Sequence, residues 1–153
     1  MRLLYVPLLV AACLIAPPAL SATDPSTGNS KAVPFTVLAT GKAAGQQQTG
    51  LLYARDVKTF EKIWSDLHAD GRPPKVNFKR RMVVAWVGGG AACDGYKLAH
   101  VREDANEVSL EIEHIHQKPG HMCIAMYVPS HLMAAIPTTT KPIKFTIAEV
   151  PRI

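Results

Sequence analysis

Two histidines separated by one residue are the most distinctive chemical feature of the sequence. His114 and His116 end the stretch Glu107–His116, in which apolar and polar residues alternate. In a β-strand, residues two apart face the same side, so both imidazoles can approach one zinc or copper ion. His121 and His131 are further nitrogen donors that the fold can bring near. No third ligand stands at a diagnostic spacing, and the pair suits the solvent end of an apolar strand face, so we assign no metal site and no cofactor.

The sequence contains no familiar catalytic motif. Ser65, Ser109 and Ser130 lack the G-x-S-x-G surroundings of many hydrolase nucleophiles. No carboxylate pair has the flanking signals of a glycosidase. Gly88-Gly89-Gly90 follows a predicted strand, but no Lys-Ser or Lys-Thr comes after it, so it fits a flexible connection better than a phosphate-binding loop. We therefore predict no catalytic residue and no enzyme activity.

The N-terminal residues have the composition of a secretory signal peptide. Arg2 precedes an apolar run from Leu3 to Ala16, which is shorter than the roughly 20 residues that a membrane-spanning helix needs. Pro17-Pro18 and small residues up to Ala22 follow. A charge, a short apolar run, a helix breaker and small residues are the parts of a signal peptide. We predict that residues 1–22 are removed on export to the periplasm or the exterior.

Cys13 allows a second interpretation of the same segment. Val10-Ala11-Ala12-Cys13 resembles the lipobox of bacterial lipoproteins, in which the cysteine is lipidated. The apolar run continues past this cysteine to Leu20, whereas lipoproteins are usually polar there. We therefore favour cleavage near residue 22, and expect membrane attachment only if Cys13 is lipidated.

Cysteine number predicts a structural disulfide. The chain has three cysteines, and Cys13 leaves with the predicted signal peptide. The remaining pair, Cys93 and Cys123, fits a disulfide in an exported protein. Two free thiols and a redox pair are the alternatives, but neither cysteine belongs to a C-x-x-C motif.

Apolar periodicity predicts one helix and several strands in a single domain at residues 33–153, after a flexible leader at 23–32. Apolar residues recur at helical spacing after Asp56, a plausible N-cap, and form one stripe: Val57, Phe60, Ile63, Trp64 and Leu67. The other apolar stretches predict strands at 33–40, 51–54, 82–87, 96–102, 107–116, 123–128 (ended by Pro129) and 143–150. The strands at 96–102 and 107–116 flank a turn at 103–106 and are predicted to form a hairpin. The pattern indicates an α+β fold: a mainly antiparallel sheet of six or seven strands with one amphipathic helix. Trp64 and Trp86 are expected in its core.

Composition excludes several classes of protein. The chain has 153 residues, is 48% hydrophobic and 19% charged, and so can bury a core as one domain. Its formal charge is +5, and we interpret this excess as spread along the chain rather than clustered. A dedicated nucleic-acid-binding protein is therefore not expected.

Residues 51–150 resemble the PrcB-type C-terminal domain of the protease-complex subunit PrcB family. The resemblance rests on the Asp56-x-x-x-Phe60-x-x-x-Trp64 helix, on Pro74-Lys75-Val76-Asn77-Phe78 before the strand at 82–85, and on turn and core residues. The turn and core residues are Gly88, Gly95-Tyr96, Pro119-Gly120, Cys123 and Pro129-Ser130-His131. The family usually has threonine–glycine–glycine–tyrosine where this chain has Cys93-Asp94-Gly95-Tyr96, a departure that supports a disulfide-braced variant.

The resemblance implies a function without catalysis. Domains of this family are exported or lipid-anchored, and the family is named after an accessory subunit that associates with and stabilises a surface serine protease. The resemblance thus implies a non-enzymatic accessory domain whose partner is another extracytoplasmic protein, for example a protease. A strand at the border of the sheet, such as 107–116, would accept a partner strand by β-augmentation. A small periplasmic metal-binding protein that uses His114 and His116 is the alternative.

Overall fold

The computed structural model describes residues 30–43, 49–116, 122–124 and 126–150. In this part of the chain the elements follow in the order β1 (Lys31–Ala32), β2 (Thr36–Lys42), β3 (Gly50–Ala54), α1 (Val57–Asp66), β4 (Arg81–Ala91), β5 (Gly95–Glu103), β6 (Val108–Ile115), β7 (Tyr127–Pro137) and β8 (Ile143–Glu149). This is an α+β fold with mostly antiparallel strands and a single helix, as predicted. The predicted signal peptide, with Cys13, lies outside the described residues. So does most of the predicted leader, whose last two residues form β1.

The strands form two four-stranded sheets. Their orders are β1-β5-β6-β8 and β2-β7-β4-β3. All neighbouring strands pair antiparallel except β6 and β8, which are parallel. The hairpin predicted around residues 103–106 is confirmed: β5 and β6 pair across a turn in which the Asp104 carboxylate accepts the N–H groups of Asn106 and Glu107. Because β6 lies between β5 and β8, the expectation that 107–116 is a border strand is wrong. The border strands of this sheet are β8 and the two-residue β1.

The central strands β4 and β7 are buried on both faces. One face packs against β5 and β6 in a core that contains Trp86. The other face packs against α1 in a second core that contains Trp64. The molecule therefore has three layers, namely sheet, sheet and helix, and both tryptophans are core residues as expected.

Helix α1 is held at both ends by side chains. The carboxylate of Asp56 accepts the backbone N–H of Thr59 at 2.8 Å, which confirms the predicted N-cap. Trp64 Nε1 donates to the carbonyl oxygen of Gly71 at 3.1 Å, so the chain that leaves the helix is pinned to it. In the described part of the chain, no helix is long and apolar enough to cross a membrane.

The three consecutive glycines lie within a strand, and the predicted flexible connection is wrong. Residues Gly88, Gly89 and Gly90 continue β4 and pair with residues 130, 129 and 128 of β7. A Cβ atom on Gly88 would come within 2.0 Å of Trp86 Cζ2. The indole ring of Trp86 therefore lies over Gly88, in space that a larger side chain would occupy. The backbone of Gly88 is still paired with β7, so the strand continues through this position.

Strand β7 is longer than the sequence indicates, because Pro129 does not end it. The prediction placed a strand at 123–128, whereas β7 covers Tyr127–Pro137. In an antiparallel strand the N–H and C=O of one residue point to the same neighbour. The carbonyl oxygen of Pro129 accepts the N–H of Ala43, just beyond the end of β2. The nitrogen of Pro129 therefore also points toward the β2 side, and its lack of a hydrogen costs no hydrogen bond to β4. The first long strand is likewise displaced, from the predicted 33–40 to 36–42.

Candidate metal centre

The two histidines lie together at the end of β6. Val108, Leu110 and Ile112 of this strand are buried, and His114 follows them on the same face. The side chains of His114 and His116 are 13% and 24% exposed, and their ring centroids are 4.0 Å apart. The prediction that both imidazoles share a face at the solvent end of an apolar strand is confirmed.

Asp94 adds a carboxylate to this pair. Tyr96 of β5 pairs with His114 of β6, which brings the residues just before β5 beside the end of β6. One carboxylate oxygen of Asp94 lies 3.0 Å from His114 Nε2, and the other lies 3.6 Å from His116 Nδ1. The first distance is in the range of an ion pair, but the atoms are not aligned for a hydrogen bond, so His114 Nε2 is buried without a hydrogen-bond partner. The Asp94 side chain is itself only 11% exposed.

Glu149 contacts the opposite nitrogen of each ring. It lies on β8, where the parallel pairing with β6 places it opposite His114. Its carboxylate is 3.1 Å from His114 Nδ1 and 2.5 Å from His116 Nε2. Each imidazole therefore lies between two carboxylates, one partly buried and one exposed.

Aromatic packing fixes the orientation of the His114 ring. The ring stacks on Tyr96 with an interplanar angle of 6° and a centroid distance of 4.8 Å. Tyr96 in turn packs against the buried ring of Trp86 at 4.7 Å. Gly90 makes room for this arrangement, since a Cβ there would lie 2.6 Å from the Tyr96 hydroxyl and 2.7 Å from the Asp94 carboxylate.

The turn that carries Asp94 is tied down at several points. The N–H of Ala91 donates to the Asp94 carboxylate at 2.8 Å, and Lys42 Nζ donates to the Asp94 carbonyl oxygen at 2.8 Å. The preceding residue, Cys93, forms a disulfide with Cys123, and their Cα atoms are 5.9 Å apart. This is the pairing that the sequence predicts, and it is compatible with an oxidising, extracytoplasmic compartment.

The histidines lower the pKa of both carboxyl groups. Partial burial acts to raise the pKa of Asp94, but the contact with His114 and the hydrogen bond from Ala91 outweigh it, and the pKa is lowered. The pKa of Glu149 is lowered mainly by its contacts with His114 and then by those with His116. Both groups therefore stay ionised in acid better than ordinary carboxyl groups, and they present negative charge to any cation at the site.

The other histidine candidates do not join this cluster. His131 is buried on β7, and neither of its ring nitrogens has a hydrogen-bond partner among the described residues. Burial lowers the pKa of His131 and so favours the neutral ring, against a weaker opposing effect of the Asp70 charge. It is not among the residues that converge at the metal centre. His121 lies outside the described residues.

Comparison with known proteins adds no family to this description. No protein-family model, no curated protein and no solved structure matches the chain. The resemblance to the PrcB-type domain therefore stays a prediction, and the function has to be argued from the site itself.

Proposed function

We propose that the protein is an extracytoplasmic domain that binds a divalent transition-metal ion through Asp94, His114 and His116. The observation that carries this proposal is the convergence of the three side chains, whose potential ligand atoms all lie within 4.8 Å of one another. The disulfide and the predicted signal peptide support a location in the periplasm or outside the cell. The proposal includes no catalytic step.

The spacing of the ligand atoms suits a zinc-sized ion. Bonds of about 2.0–2.1 Å in a tetrahedral site place neighbouring ligand atoms roughly 3.3 Å apart. Each histidine has an Asp94 oxygen at close to this separation: Oδ2 lies 3.0 Å from His114 Nε2, and Oδ1 lies 3.6 Å from His116 Nδ1. Nitrogen and carboxylate ligands together suit Zn²⁺ and Cu²⁺, and three protein ligands leave a fourth position for water.

Glu149 supports the proposal as an orienting residue. Metal-bound histidines commonly pair their second ring nitrogen with a carboxylate, which fixes the ring and raises its basicity. Glu149 contacts the nitrogen of each ring that Asp94 does not. His114 Nε2 and His116 Nδ1 are thus directed toward Asp94. A cation between the three side chains would contact all three protein ligands.

Zinc titration of the exported protein tests the proposal. We expect one Zn²⁺ per chain, measured by competition with a chromophoric chelator, and a rise in melting temperature because the ion binds only the folded state. The double variant His114→Ala, His116→Ala is expected to lose at least about 100-fold in zinc affinity. His100→Ala, which removes an exposed histidine on β5, is the matched control and should bind zinc like the wild type.

Two results would contradict the metal proposal. One is a folded wild-type protein that takes up neither zinc nor copper, and the other is a double variant with unchanged affinity. If circular dichroism shows that the double variant is unfolded, Asp94→Asn replaces it, since this change keeps the shape of the side chain and removes its charge. Unchanged zinc affinity in Asp94→Asn would also reject the site.

The open border of the first sheet supports a second candidate function, which is the binding of another protein. Among the described residues β8 pairs with β6 alone, so its outer edge is unpaired, and Ile147 on this strand is 44% exposed. An unpaired edge accepts an extended segment through main-chain hydrogen bonds. The PrcB resemblance implies an extracytoplasmic partner, above all a protease.

Crosslinking in the native envelope tests the second candidate. We expect a stoichiometric partner whose binding slows amide hydrogen exchange in β8, and we expect Ile147→Lys to reduce its capture at least roughly 5-fold by charging the edge. Val37→Lys is the matched control, because Val37 is also 44% exposed but lies on β2, a border strand of the other sheet. Capture that is unaffected by Ile147→Lys, or a partner that leaves β8 exchange unchanged, would argue against binding at this edge.

A further inference from the structure

A stretch between α1 and β4 carries positive charge without any acidic residue. Residues 71–81 contain three arginines and two lysines and neither Asp nor Glu. The interpretation of the positive charge as evenly spread is therefore wrong for this part of the chain. Arg81 is partly buried and points inward, where it donates to Thr36 and to the carbonyl oxygen of Ala135. The other four, which we call the basic segment, are exposed: Arg72, Lys75, Lys79 and Arg80.

Among the described residues, no ion pair neutralises the charges of the basic segment. The cations of the ion pairs in the described part of the chain are Lys62, Lys97, Lys141 and Lys144, together with His114 and His116 where these are protonated. The ends of the basic segment are eight positions apart, so the Cα atoms of the four residues lie within roughly 30 Å of one another even in a fully extended chain. The basic segment therefore concentrates four exposed positive charges in one short stretch of chain.

The backbone of the basic segment is anchored beside each cation. Gly71 accepts the indole N–H of Trp64, next to Arg72. Val76 and Phe78 pack into the core under α1, next to Lys75 and Lys79.

A turn then fixes the end that carries Lys79 and Arg80. The Asn77 carbonyl oxygen accepts the N–H of Arg80, and the Arg80 carbonyl oxygen accepts the N–H of Thr138. The backbone that carries the charges is thus ordered before any partner arrives, which lowers the entropy cost of binding.

We infer that the basic segment binds the anionic headgroups of a phospholipid membrane. Phe78, the one aromatic side chain in the stretch, packs against Phe60 at 6.0 Å, so it is turned inward and is not presented for stacking on nucleic-acid bases. Exposed cations on an ordered backbone suit a lipid surface, because lipids diffuse in the membrane plane and their headgroups gather under charges of any spacing. Each basic side chain near an anionic membrane strengthens binding by about fivefold.

Vesicle sedimentation tests this inference with the disulfide-bonded protein. We expect binding to vesicles of phosphatidylcholine mixed with phosphatidylglycerol, little binding to pure phosphatidylcholine, and a loss of affinity as salt is raised. Lys79→Ser with Arg80→Ser should weaken binding by roughly 25-fold. The matched control, Lys97→Ser with Lys144→Ser, removes the same charge from residues that are already paired with Glu113 and Glu107, and it should bind like the wild type.

Several outcomes would overturn the membrane assignment. Equal binding to neutral vesicles, or equal losses in the two double variants, would show that the basic segment is not the contact. Displacement by inorganic phosphate at the same phosphate concentration would indicate a site for free phosphate. Tighter binding to duplex DNA or to an acidic peptide than to the mixed vesicles would indicate a different polyanion. The variant His114→Ala, His116→Ala is expected to bind vesicles normally, so this result is independent of the metal proposal.

Discussion

Replacement of both bridging cysteines, Cys93→Ser with Cys123→Ser, is expected to lower the free energy of unfolding by about 3–4 kcal/mol. The bridge closes a loop with a sequence separation of 30 residues, and the entropy that such a crosslink removes from the unfolded chain corresponds to this figure. The bridge also fixes the turn that carries Asp94, since Cys93 directly precedes it. Chemical denaturation of the exported protein, followed by circular dichroism, measures the difference.

Reductant provides the internal control for the disulfide. It should destabilise the wild type toward the level of the double-serine variant and leave that variant unchanged. A wild type whose stability does not respond to reductant, although its thiols become titratable, would mean that the bridge contributes little. The double-serine variant is used because either single replacement leaves a reactive thiol.

Gly88→Ala is expected to destabilise the protein by about 3 kcal/mol, the upper part of the range for overpacked cores. The added methyl group would lie 2.0 to 2.8 Å from three atoms of the Trp86 ring. That ring is 1% exposed and is held by Tyr96 and Phe145, so it cannot move away without disturbing the core between the sheets. Urea unfolding gives the difference directly.

Two further variants separate this clash from the general cost of alanine in a strand. Gly95→Ala is the matched control, because the nearest atom to its new methyl group is Ile115 Cβ at 3.8 Å, an ordinary contact. Combining Gly88→Ala with Trp86→Leu should cost less than the sum of the two single changes, since the smaller side chain relieves the clash. If Gly88→Ala and Gly95→Ala were equally stable, the indole would not lie across Gly88.

Local sequence patterns were sufficient to predict the helix and most strands. The helix was predictable because its two signals are local. The apolar stripe that contains Phe60 and Trp64 has helical spacing, and Asp56 caps its first turn. The β5–β6 hairpin is also local. By contrast, β7 was missed beyond Pro129, because both of its faces are buried and its residues show no alternation, so the chain lacks the signal on which strand prediction depends.

Only part of the candidate metal centre was predictable. His114 and His116 share a face because of the two-residue period of a strand, which any strand imposes. Asp94 and Glu149 were missed, since no spacing rule connects them to the histidines. Asp94 arrives through the register of β5 and β6, and Glu149 through the parallel pairing of β8 with β6, which joins residues 35 positions apart.

The sequence by itself thus determined the core positions of Trp64 and Trp86, the helix, the hairpin, the pairing of Cys93 with Cys123 and the shared face of two histidines. These properties depend on short-range periodicity or, for the cysteines, on number alone. Tertiary structure alone decided that β8 rather than β6 borders its sheet, and that two carboxylates enclose the histidines. It also decided that a glycine run belongs to a buried strand beside Trp86. These features depend on which strands are neighbours in the sheets. The neighbours are chosen so that both faces of β4 and β7 are buried, which involves residues far apart in the sequence.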